Sequence, residues 1–204
     1  MKCAAACWIL CRPLPWIDSF STMLILASQS PRRRELMARE GLDFSVIVRD
    51  TEEEHDATLA PEELCARNAA AKAAVVAAEY PQATVIGADT LVFIDGTPLG
   101  KPTDEEEAVA MLTRLQGRTH CVCTAVAVFM PDGERRDFAE MSYVTFRPLT
   151  REQILHYMSL VHVYDKAGAY AVQEHGELII DNVQGDTDNV IGLPVTALKK
   201  VLNA

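Results

Sequence analysis

Thr84-Val85-Ile86-Gly87-Ala88-Asp89-Thr90-Leu91-Val92-Phe93-Ile94 is the stretch that sets the fold class. Its β-branched and apolar side chains read as one long buried strand, and Asp95-Gly96 marks a turn into a short return strand. Upstream, residues 23–28 form a shorter apolar run, a second buried strand. Ser30-Pro31 then opens a helix to about Glu40, with Ser30 as N-cap, Pro31 at the first helical position and Gly41 as the stop. Residues 44–48 read as a strand, 50–56 as an acidic loop, and 61–80 as an alanine-rich helix with Glu62 and Glu63 at its positive end. Downstream come a helix over 104–115 and a long hairpin of 119–130 and 135–147 around Pro131-Asp132-Gly133. A helix over 151–160, a glycine-bearing loop and strand over 163–173, a strand over 178–183 and a last helix over 194–202 complete the pattern. Strands alternate with helices until a hairpin intervenes, so the fold class is α/β with a mixed sheet.

At 204 residues the chain has room for one substantial α/β domain or two closely packed lobes. The formal net charge of -10 speaks against a surface that grips a nucleic-acid polymer. It leaves room for a small basic pocket, because local charge can oppose the global sign. The six cysteines include no Cys-x-x-Cys pair, which favours reduced thiols and a cytoplasmic setting. Cys121 and Cys123 alternate along a strand and read as core or edge residues rather than metal ligands. The five histidines show no paired ligand spacing. Residues 1–22 differ in character from the rest: their apolar run is too short to span a bilayer, and no clean secretory cleavage site follows it. The expectation is a single domain over 23–204, with Met23 as the native start and 1–22 an upstream-start artefact or disordered tail.

Chemistry concentrates in five places. Ser28-Gln29-Ser30-Pro31-Arg32-Arg33-Arg34 puts three arginines in the first turn of a helix. The helix dipole disfavours each there by about 0.3–1 kcal/mol, a cost that a bound anion would offset. Helix N–H groups and forked guanidinium donors both suit phosphate, and only one or two of the arginines can face one ligand; a solvated basic face is the competing reading. Asp89 interrupts an apolar strand, where a buried charge needs a partner or a metal; it reads as a catalytic carboxylate or as a strand-end cap. Lys101, in Gly100-Lys101-Pro102, points at phosphate or at solvent, and Lys72 between alanines reaches a cleft or snorkels. Glu52, Glu53 and Glu54 offer a metal-binding oxygen or form a solvated loop. In Asp165-Lys166-Ala167-Gly168-Ala169-Tyr170-Ala171-Val172-Gln173, Gly168 permits close backbone approach and Gln173 can both donate to and accept from a base edge, with a structural loop as the alternative. The P-loop, Gly-x-Ser-x-Gly and Gly-x-Gly-x-x-Gly patterns are absent from the sequence.

Taken together these segments resemble the Maf family of nucleotide pyrophosphatases. The matching pieces are Ser28-x-Ser30-Pro31-Arg32-Arg33-x-Glu35-Leu36, Gly87-Ala88-Asp89-Thr90, Lys101-Pro102, and Leu115-x-Gly117-x-x-His120 with Thr124-Ala125-Val126. Asp165-Lys166-Ala167-Gly168-x-Tyr170 with Gln173, and Gly192-Leu193-Pro194, follow in the family's order. The resemblance implies a two-lobed, elongated mixed sheet flanked by helices, like that of inosine triphosphate pyrophosphatase. It also implies a cleft between the lobes, a divalent cation (Mg2+ or Mn2+), and often a homodimer. Carried over by position, Asp89 would be the general base. Ser28, Arg32, Arg33, Lys72 and Lys101 would bind substrate phosphates, and Glu53 would join Asp89 at the metal. Arg32, Thr90 and Gln173 resemble the set that marks the thymidine/uridine triphosphate subgroup. Glu174-His175 stands where relatives more often carry a glycine-rich turn.

The activity this implies is hydrolysis of dTTP or UTP, and of modified pyrimidine nucleotides, to the monophosphate and pyrophosphate, with no nucleic-acid polymer and no membrane as partner. A 7-methyl-GTP or other noncanonical-nucleotide pyrophosphatase is the alternative within enzymes. A nucleotide-binding regulator of cell division is the alternative outside them.

Overall fold

The computed structural model describes residues 23–204. The readings placed on residues 1–22, including Cys3, Cys7 and Cys11, lie outside the described residues. In chain order the main elements are β1 (Leu24–Leu26), α1 (Pro31–Arg39), β2 (Ser45–Val46), α2 (Pro61–Glu79), β3 (Thr84–Ile94), β4 (Thr97–Leu99) and α3 (Glu105–Leu115). They continue with β5 (Thr119–Phe129), β6 (Arg135–Phe146), α4 (Arg151–Leu160), β7 (Ile180–Gln184), α5 (Thr187–Ile191) and α6 (Val195–Leu202). The sheet runs β2-β1-β3-β5-β6-β7, with β4 also on β3. β1 pairs parallel with β2 and β3, and the remaining pairings are antiparallel, which makes the sheet mixed as expected.

One consequence of strand length positions everything else. Along one edge β3 pairs with β5 from Val85 to Phe93. Along its other edge it meets β1 only over Thr84–Ile86 and β4 only over Val92–Ile94. Residues 87–91 therefore have no strand partner on that edge, and the sheet opens into a cleft there. One lobe packs β1, α1 and α6 through Leu26, Leu36, Met37, Leu193 and Leu198. The other packs the far end of β3 with α3 and α4 through Ile94, Leu112, Leu115, Phe146 and Tyr157.

α2 covers the middle of the sheet through Leu64, Cys65, Ala69, Cys123 and Ala125. A Cβ placed on Gly87 would fall 2.2 Å from the Ala69 carbonyl oxygen and 2.8 Å from Ala73 Cβ. The small residues on both sides thus let helix backbone lie directly against strand backbone. Cys121 and Cys123 are free thiols on β5, and the Cys65 thiol donates to the Cys123 carbonyl at 3.5 Å.

Several elements differ from the sequence reading. The strand expected over 44–48 is reduced to Ser45–Val46. No strand forms over 163–173: Gly168 and Ala169 have φ of 69° and 63°, and a 3₁₀ turn, Ala167–Ala169, stands there instead. β7 starts at Ile180, after a second 3₁₀ turn, and α5 is an addition. Ser30 holds the N-cap position without a side-chain cap; its own N–H donates to Ser28 Oγ at 3.3 Å.

Candidate active site

Asp89 projects from the stretch of β3 that has a strand partner on one edge only, and is 5% exposed. Its Oδ1 accepts from Lys72 Nζ at 2.6 Å and its Oδ2 from Asn68 Nδ2 at 3.4 Å. Asn68 and Lys72 are four residues apart on α2 and share a face. The same Lys72 Nζ lies 2.6 Å from Glu53 Oε1. Burial raises the Glu53 carboxyl pKa, but the hydrogen bond and charge of Lys72 outweigh it and leave the pKa below the usual value. Asn68 also clamps the acidic loop, accepting from Glu54 N at 2.8 Å and donating to Glu54 O at 3.1 Å. Sequence reasoning missed Asn68. Its signal was an amide set one helical turn before Lys72 in an alanine-rich helix.

Arg33 behaves differently from its neighbours. It is buried, and Nε donates to Gly192 O at 2.8 Å. Nη1 donates to Ser28 Oγ at 3.0 Å and Ala88 O at 2.9 Å, and Nη2 to Thr90 Oγ1 at 2.9 Å. Desolvation lowers its pKa, partly offset by the charge of Asp89. A guanidinium has five N–H donors, and the protein engages four of them here. Thr90 Oγ1 also meets Thr124 Oγ1 at 2.9 Å. The structure places Ser28, Arg33 and Thr90 on the cavity lining, as it does Arg32. Their hydrogen bonds join β1, α1, β3 and the Gly192 loop at that wall.

Arg32, one residue earlier, turns the other way. Its Nη1 donates to Asp165 Oδ2 at 2.7 Å and its Nη2 to Asp165 O at 3.0 Å, bridging the two sides of the cleft. Burial raises the Asp165 pKa, and Lys166 and Arg32 more than reverse that. Lys166 is itself buried and donates to His162 O at 2.6 Å and Asp165 Oδ1 at 2.9 Å, with Glu174 Oε1 3.3 Å away. Lys101 and Gln173 are exposed on the cavity wall. Gly168 N donates to Gly100 O at 3.0 Å, tying the Gln173 segment to the Lys101 segment. His120 is buried behind the wall, and its Nε2 meets the Tyr170 hydroxyl at 2.7 Å. Burial pushes the His120 pKa down to about 4.

One cavity of about 750 Å³ gathers these groups. Ser28, Arg32, Arg33, Glu53, Lys72, Asp89, Thr90, Lys101 and Gln173 all line it. Arg34, the third arginine of the helix turn, is exposed and outside that lining. Carboxylates and cations thus line one space of ligand size. Such a wall can hold a polyanion on one side and present an acceptor for a proton on the other. Among the described residues no cluster of three or more His, Cys, Asp or Glu side chains forms a metal cage, and no helix is long and apolar enough to cross a membrane. The two carboxylates Glu53 and Asp89 do converge closely enough for one ammonium to bridge them. Two hard oxygen donors completed by substrate phosphates are a common Mg2+ arrangement, so the residues fit such a cation.

Comparison with known proteins fits this geometry. A dTTP/UTP pyrophosphatase of Akkermansia muciniphila is 63% identical over 180 residues, covering 88% of this chain and 95% of that one. A dTTP/UTP pyrophosphatase of Bacillus velezensis is 47% identical over 179 residues, covering 88% and 94%. The Ham1 protein of Staphylococcus aureus superposes with a TM-score of 0.51 at 16% identity, covering 89% of this chain and 98% of that one, and so shares the fold. The family described as Maf-like protein matches residues 23–204, the same residues that build the opened sheet and its charged cavity. The chain belongs to the Maf-like protein family.

Proposed function

We propose that this chain hydrolyses dTTP and UTP to the nucleoside monophosphate and pyrophosphate. The observation that carries the reading is Asp89, a carboxylate in the opening of the sheet, sharing one cavity with Arg32, Lys72 and Lys101. The base preference rests on relatives 63% and 47% identical that are named dTTP/UTP pyrophosphatases.

In the proposed reaction a water oxygen bonds to the α-phosphorus and the bond from that phosphorus to the α–β bridging oxygen breaks. Asp89 takes the proton from the water, and pyrophosphate leaves with the bridging oxygen. Arg32, Lys72 and Lys101 hold the phosphate oxygens and stabilise the charge that builds on the leaving group. Ser28, Arg33 and Thr90 keep β1, α1 and β3 in register around the phosphates. Gln173 meets the base edge with a donor and an acceptor. A divalent cation held by Glu53 and Asp89, Mg2+ or Mn2+, would supply further charge neutralisation at the phosphates. The proposed unit is the single domain over 23–204, acting in the cytoplasm with Cys65, Cys121 and Cys123 as thiols, and as a homodimer.

The test is pyrophosphate release from a panel of triphosphates carrying each common base, with inosine and 7-methylguanine added. The fastest turnover is expected with dTTP and UTP. Preference for 7-methyl-GTP would overturn the base assignment, and no release from any member would overturn the reaction. Asp89→Asn is expected to cut turnover at least about a hundredfold while nucleotide still binds.

A further inference from the structure

Lys72 makes two contacts that do not belong to a phosphate-binding residue at rest. Its ammonium lies 2.6 Å from Asp89 Oδ1 and 2.6 Å from Glu53 Oε1, and its side chain is 17% exposed. We propose that this ammonium is a placeholder, occupying the seat between Glu53 and Asp89 until a divalent cation takes it. The exchange then hands Lys72 to the phosphates of the nucleotide. The inference rests on the reading of the cavity as a nucleoside triphosphate site and adds the order in which its charges change partners.

Two carboxylates facing one another repel, and a cation between them relieves the repulsion. The lysine supplies one positive charge against two negative ones. A divalent cation balances both charges and prefers the same oxygens. The two cations therefore compete for one place. α2 cannot retreat to relieve the competition, because Ala69 and Ala73 lie against Gly87 of β3 on either side of Lys72. The flexible stem of Lys72 can move where the helix cannot.

The other cations of the wall show why the exchange matters. Arg32 is held by Asp165, and Arg33 is engaged on four of its N–H groups by the protein. A nucleotide arriving alone meets Arg32, Arg33 and Lys72 already engaged by groups of the protein. A divalent cation arriving alone must evict Lys72 from both of its carboxylates. Arriving together they satisfy both, so each raises the affinity for the other.

The test is Mn2+ binding to the full chain without nucleotide, with free Mn2+ read by electron paramagnetic resonance. Lys72→Met and Lys72→Gln are expected to bind Mn2+ at least about tenfold more tightly than wild type, a coupling within the usual range between sites. Lys72→Arg keeps the charge and is expected to stay near wild type. Neutral variants that bind no more tightly than wild type, or an arginine variant that binds as tightly as they do, overturn the proposal.

Wild-type protein provides a check that needs no variant. The Lys72 ammonium resonance in ¹⁵N-lysine spectra is expected to shift as Mg2+ saturates the site, and an unmoved resonance at saturation overturns the exchange. Pyrophosphate release from dTTP by wild type is measured alongside. Its absence strikes the reading of the cavity as a nucleotide site, whereas the metal titrations decide the placeholder by themselves.

Discussion

Arg33 and Arg32 are adjacent, and the fold gives them different work. The sequence places both at the start of α1, where the helix dipole opposes a cation, and an anion is the expected compensation. For Arg32 that anion is the Asp165 carboxylate, a group of the protein itself. For Arg33 the compensation is a set of carbonyl and hydroxyl acceptors. Arg33→Ala would remove the guanidinium donor from Ala88 O and leave Gly192 O only the longer bond from Thr90 Oγ1 at 3.3 Å, so a loss of about 3–5 kcal/mol in urea unfolding is expected. Arg33→Lys should restore little of it, because an ammonium cannot reproduce the fork. His120 sets a pH dependence of stability. Its pKa is about 4 in the folded chain, against an ordinary value of 6.5. Between those values the unfolded chain binds a proton that the folded chain refuses. Stability is therefore full above about pH 6.5 and falls as the pH drops towards 4, by about 3 kcal/mol from this residue. His120→Gln keeps a partner for the Tyr170 hydroxyl and should flatten that part of the stability–pH curve in denaturant titrations.

At the scale of elements, Gly87 shows how a strand and a helix share one constraint. A methyl group there meets the backbone carbonyl of Ala69 at 2.2 Å, and backbone cannot step aside as a flexible side chain can. Gly87→Ala is expected to cost about 1–3 kcal/mol or more. That lowers the melting temperature by roughly 3–10 °C. Because α2 carries Lys72 and Asn68, turnover should fall as well; unchanged melting and turnover would show that the packing is looser than described. Legibility in the sequence followed the same logic. β3 was readable to the residue from its apolar run, and β5 and β6 to within a residue from their alternation around Pro131-Asp132-Gly133. The segment over 163–173 misled because Gly168 and Ala169 both take positive φ, and for a non-glycine residue that is imposed by tertiary contacts. α5 has five residues, too short to announce itself by periodicity or to stand without packing.

Across the whole molecule the site arises from unequal strand lengths. β3 and β5 are eleven residues each, whereas β1 and β4 are three each, so the long strands run on past the short ones and leave the opening whose cavity Asp89 lines. Strand lengths were partly legible, but the opening depends on which short strand meets which end of β3, and that pairing joins residues sixty apart. Seven of the nine candidate residues stand in motifs that occur together in order, and Glu53 and Lys72 were carried over by position; how each is engaged depends on partners such as Asp165 and Gly192 that no local pattern reveals. β1 is paired on both edges, and Thr84 N donates to Met23 O at 2.9 Å, so the first described strand is bonded on both sides within 23–204. The family match also spans 23–204. We therefore expect a chain beginning at Met23 to melt within about 2 °C of the full chain, less than the shift that 1 kcal/mol brings at this size. It should also release pyrophosphate at the same rate. A lower melting temperature with unchanged turnover would give residues 1–22 a part in holding the lobe of β1 and α1, whereas lost turnover at an unchanged melting temperature would give them a part in the cleft.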